Sequence, residues 1–65
     1  MLIRSVEKFL RAHHISATKF GRLAAQDPRF VIDLRNGREP RARTEERVRA
    51  FMAGFEAGRE IARAA

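Results

Sequence analysis

Sixty-five residues without a cysteine leave room for one small domain, held by ordinary hydrophobic packing with no disulfide framework and no cysteine-ligated zinc. The net charge is +6, carried by twelve arginines against two lysines. Arginine's planar fork suits phosphates and guanine edges, so nucleic acid is the expected partner, although a high-GC genome would also enrich arginine.

The apolar spacing predicts a first helix over about 3–13. Leu2, Val6, Phe9, Leu10 and His13 fall on one face, and Arg4, Glu7, Lys8 and Arg11 fall outside it. Glu7 and Arg11 stand at i, i+4 in the favourable order for an ion pair. A His13-His14 pair invites a metal site or a pH switch, but at a helix C-terminus an imidazole simply suits the dipole, and that plainer role is the one expected.

Ser16 is a good N-cap, and Ile15 before it can staple onto Phe20, which sets a second helix at 17–25 with Phe20, Leu23 and Ala24 on a shared face. Asp27-Pro28 is a fresh start signal, a capping side chain followed by the ring tolerated at the first helical position. A third helix over 28–36 follows, with Val31 and Leu34 inward, closing at Asn36-Gly37.

Residues 37–43 form a basic loop, because Pro40 forbids a helix through them. Thr44 then opens a fourth helix over 45–62 as its N-cap, with Glu45 and Glu46 at the positive end of the dipole. Val48, Phe51, Met52 and Phe55 make its apolar stripe, and Ile61 continues it. Met52, Phe55 and Ile61 are apolar surface for a homodimer contact, or else pack against the first helix. Gly54 and Gly58 have the spacing of close-packing glycines, a pattern that counts mainly in membranes. No strand signal is present, and the fold class is all-α.

Helix, short turn, helix over Ile15–Gly37 is the spacing of a helix-turn-helix. On Phe20, Gly21, Ala25 and Val31 the stretch resembles the lambda-repressor-like family of Cro- and XRE-type regulators. The small residue after the large one lets the next helix cross close above it. Ala25 stands where that family usually has glycine, Gln26 where it has an aliphatic, and Ala17 and Pro28 where it often has glutamines. The resemblance implies a small four- to five-helix bundle and a bacterial or phage transcriptional regulator, repressor-like, cytoplasmic and nucleoid-associated. Such a protein binds double-stranded DNA as a homodimer on a palindrome.

The second helix of such a unit lies in the major groove. Arg29 is then suited to a bidentate contact with guanine, and Ile32 or Phe30 to a thymine methyl; Phe30 borders the core face and is equally suited to burial. Asp33 can accept from a cytosine amino group or orient Arg29. Arg35, Arg38, Arg41 and Arg43 would make a phosphate-facing rim, or reach a neighbouring minor groove from the loop, with Thr18, Lys19 and Arg22 as a second backbone clamp. With the glutamines absent, the arginine-rich loop has to supply more of the binding.

The alternative is a protein-interaction module on the same scaffold, binding through the apolar stripe of the fourth helix. Scattered acids and histidines, and the lack of a phosphate loop or metal-ligand spacing, argue against an enzyme, a cofactor, a metal or a small-molecule substrate. No apolar run approaches the roughly 18 residues that span a bilayer, and the start of the chain is too short for a signal-peptide core, so a membrane role is not expected. Glu56 and Glu60 interrupt what would otherwise be a basic, membrane-surface helix.

Overall fold

Each run of apolar residues spaced at three and four positions becomes a helix: α1 (Leu2–His13), α2 (Ala17–Ala25), α3 (Phe30–Arg35) and α4 (Ala42–Ala64). This computed structural model describes residues 1–64, with side chains through Gly58, and no strand occurs among them. Ile61 therefore lies outside the residues whose side chains are described. No helix is long and apolar enough to cross a membrane among the described residues.

One side chain from every helix meets at the centre. Val6 of α1, Phe20 of α2, Val31 of α3 and Val48 of α4 are all fully buried. Each such side chain contributes about 1.5–3 kcal/mol by leaving water. Beside them Phe20 stacks edge-on against Phe9 at 5.5 Å and against Phe51 at 5.7 Å, and Phe9 meets Phe55 at 5.2 Å. Edge-to-face pairs add roughly 0.5–1.5 kcal/mol each beyond their area.

The His13 ring extends this cluster, 4.4 Å from Phe9 and 4.9 Å from Phe55, with its Nε2 3.4 Å from Glu56 Oε1. His13 is thus packing material between α1 and α4. Neither histidine belongs to a group of metal-ligating side chains among the described residues. The apolar stripe of α4 is largely engaged within the chain as well, because Phe51, Met52 and Phe55 pack on the core. A methyl added at Gly54 or Gly58 would meet nothing within 4 Å, so these two glycines mark no close helix contact.

The helix ends explain where the elements stop. His14 takes a left-handed φ of 54°, and the Ile15 amide reaches back to the Leu10 carbonyl at 3.1 Å, turning the chain so that Ile15 packs on the core. Ser16 Oγ accepts from the Lys19 amide at 3.2 Å and caps α2. Gln26, also left-handed at φ 56°, closes α2 by donating its amide to the Gly21 carbonyl. Gly37, at φ 90°, ends α3: its amide reaches the Leu34 carbonyl at 3.1 Å while the Arg38 amide reaches Asp33 at 3.0 Å, the paired bonds of a Schellman closure.

Three sequence expectations change here. Leu23 is 52% exposed, because the buried side of α2 is set by Phe20, Gly21 and Ala24 and leaves Leu23 off its edge. The third helix begins at Phe30 instead of residue 28. Pro28 and Arg29 lie in a turn, held by the Arg29 amide donating to Asp27 Oδ1 at 3.0 Å and the Phe30 amide donating to the Asp27 carbonyl at 3.1 Å. The fourth helix begins at Ala42, not after Thr44, since the Arg41 carbonyl already accepts from the Glu45 amide at 3.0 Å. Pro40 halts a helix running through it but not one starting just beyond it, and Ala42 and Arg43 are strong helix formers.

Candidate nucleic-acid interface

The close approach of α2 to the turn before α3 depends on Gly21. A methyl built on it would overlap the Asp27 carbonyl oxygen and stand 3.4 Å from Phe30 Cβ. The bare Cα lets Asp27 fold over α2, which in turn lets the Asp27 side chain set the start of the turn. Local sequence thereby fixes how α3 leaves α2.

On this frame the candidate residues separate into three groups. Phe30 is 7% exposed, so its ring belongs to the core and is withdrawn from the base-reading set. Arg29, in the turn before α3, is exposed, and Ile32 on α3 is 40% exposed. Thr18, Lys19 and Arg22 are exposed along α2, as are Arg41 before α4 and Arg43 inside its first turn.

Two of the candidate arginines, Arg35 and Arg38, are held by acids, whereas Arg4, Arg11 and Arg47 elsewhere make no ion pair among the described residues. Arg35 makes a two-pronged contact with Glu7 of α1, Nη2 to Oε1 at 2.8 Å and Nε to Oε2 at 3.1 Å. The bidentate bonds come from Arg35, while Arg11, the partner expected from spacing, adds a lesser Coulombic attraction to Glu7. Asp33 does not orient Arg29; its Oδ2 lies 3.3 Å from Arg38 Nη1, with Asp33 at 25% exposure and Arg38 at 76%. Arg49 pairs with Glu45 within α4 at 3.0 Å. Lys19, Arg22, Arg29, Arg41 and Arg43 make no ion pair among the described residues. Glu7, at first sight only a charge on the outer face of α1, emerges as the residue that holds Arg35 and ties α1 to α3.

A shallow cleft runs between α3 and the loop, floored by Phe30, Leu34 and Pro40 and rimmed by Asp33, Arg38 and Arg41. Its rim carries both signs of charge, and the unpaired cations lie mainly outside it.

The hydrogen bonds from Arg35, helped by the charges of Arg35 and Arg11, lower the Glu7 carboxyl from its ordinary value against the opposing effect of desolvation. The same contact raises the Arg35 guanidinium. A carboxyl whose value falls on folding stabilises the fold fully above its unfolded value, and that contribution fades as pH drops through the lowered folded value. Glu7→Gln should therefore lower the melting temperature at neutral pH, with the gap from wild type closing in acid. Thermal melts across the acid range check this, and a gap that widens as pH falls would mean that Glu7 is not favoured as a carboxylate by the fold.

No protein-family model matches the chain, and neither the curated proteins nor the solved structures yield a match.

Proposed function

We propose that this chain is a sequence-specific double-stranded DNA-binding transcriptional regulator of the helix-turn-helix type, acting as a homodimer with α3 in the major groove. The observation that carries the reading is the α2–turn–α3 unit closed over Gly21, which leaves Arg29 and Ile32 to solvent, in a chain whose exposed Lys19, Arg22, Arg41 and Arg43 make no ion pair among the described residues. The net charge of +6 supports the same partner. The lambda-repressor-like resemblance of Phe20, Gly21, Ala25 and Val31 is consistent with it. In such a dimer the two half-sites lie about 34–36 Å apart.

Selection of bound duplexes from a randomised pool at moderate salt tests the reading. An enriched palindromic site is expected, and a pool that stays unenriched rules out sequence-specific binding. Arg29→Ala should flatten the selected preference. Arg41→Ala should weaken all duplexes about equally and reduce the salt slope by about one. The reverse pattern would exchange the reading and positioning roles of these two residues.

A further inference from the structure

We infer that the outer face of α1 is a second nucleic-acid surface, which takes the phosphate backbone of a duplex other than the one on α3, so that one protomer joins two duplexes. The count of two rests on the DNA-binding reading above; the α1 surface itself does not. Arg4, Lys8 and Arg11 recur at i, i+4 and i+7, all three are exposed, and none makes an ion pair among the described residues. They form one cationic row. At about 3.6 residues per turn the row lies on the side of α1 opposite Leu2, Val6 and Phe9, which α1 gives to the core shared with α2, α3 and α4. It therefore faces away from α2 and α3, and a duplex seated on α3 leaves it free.

Two further observations favour a nucleic-acid backbone. Glu7 is the single acid of α1, and the Arg35 fork covers it at 2.8 and 3.1 Å, so no uncompensated carboxylate beside the row repels phosphate. The spacing also fits. From Arg4 to Arg11 the helix rises about 10.5 Å, close to the rise of three phosphates along one DNA strand at roughly 3.4 Å each. The contact is independent of sequence, since phosphates carry no sequence information. A lipid surface would instead call for large apolar side chains beside the basic row, whereas Leu2, Val6, Phe9 and Leu10 of α1 are all buried.

Beads carrying one random-sequence duplex test the inference by capturing a second, fluorescent random-sequence duplex when the protein is added. Wild type should capture it. The variant Arg4→Ala/Lys8→Ala/Arg11→Ala should stay bound to the beads yet capture at least about tenfold less, three phosphate contacts having gone. It keeps its fold, because the three side chains are exposed and alanine is the best helix former. A homodimer that joined two duplexes through its two copies of α3 would capture equally well after these substitutions. That result overturns the inference, whether or not the variant loses affinity for anionic phospholipid vesicles, and so does a wild type that holds the beads but captures nothing; both leave the DNA-binding reading standing. A variant that no longer holds the bead-bound duplex makes α1 the sole DNA surface, which overturns the second surface and the assignment of α3 together. A wild type that binds no duplex at all overturns the DNA-binding reading and this inference with it.

Discussion

Gly21→Val should cost the domain about 3 kcal/mol or more, the upper end of what overpacking does. The added Cβ lands on the Asp27 carbonyl oxygen, a backbone atom that cannot swing aside as a flexible side chain would, and the two γ carbons of valine widen the conflict toward Phe30. Total stability for a chain of this size is about 3–10 kcal/mol at roughly 0.05–0.15 kcal/mol per residue, so the variant should be largely unfolded or melt far below wild type. Chemical denaturation followed by circular dichroism measures the difference. Gly21→Ala meets the same first overlap but recovers about 1 kcal/mol of helix propensity, and its loss should be smaller. A valine variant as stable as wild type would show that α2 and the Asp27 turn do not approach each other this closely.

The second large effect is on binding. If Lys19, Arg22, Arg41 and Arg43 each neutralise a phosphate, affinity should fall with salt at a logarithmic slope of about −3.6 per protomer, or about 150-fold per protomer between 50 and 200 mM. Replacing any one of the four by alanine should make the slope shallower by about 0.9. Arg35→Ala should leave the slope unchanged and lower thermal stability, because its guanidinium is engaged by Glu7 in the free protein. Titrations of a labelled duplex at several salt concentrations decide the matter. A slope near zero excludes a phosphate-tracking interface, and a shallower slope in Arg35→Ala would mean that DNA draws that arginine away from Glu7.

Local signals in the sequence carried well where they sat next to their effect. Ser16 caps α2 with its own hydroxyl, Gly37 closes α3 in the left-handed region, and Gly21 has the small size that the Asp27 carbonyl requires. Expectations failed where a distant partner or a competing local preference decided the outcome. Glu7 and Arg11 had the right spacing and do attract one another, yet Arg35 offered a bidentate fork from 28 residues away and became the hydrogen-bonded partner. Thr44 is a fair cap, but Ala42 and Arg43 favour helix strongly enough for α4 to begin before it. Phe30 bordered both the core face and the reading face in sequence; only the tilt imposed by the turn after Asp27 settles it inside. Pairing among charges was the least legible layer, since it depends on which helices become neighbours.

The chain has neither tryptophan nor tyrosine, so its only aromatic reporters in solution are phenylalanines and histidines. Four of the five phenylalanines share one continuous cluster, in which Phe9 and Phe51 each touch both Phe20 and Phe55. Phe20 meets Phe9 and Phe51 at the heart of the bundle, whereas Phe55 meets Phe9 and His13 further along α4. Peeling of the outer turns of α4 would release the second set and leave the first, which only global unfolding breaks. Ring-current shifts on Phe55 and His13 therefore read the docking of one helix, and those on Phe20 read the whole domain, so a single proton spectrum carries two separate gauges.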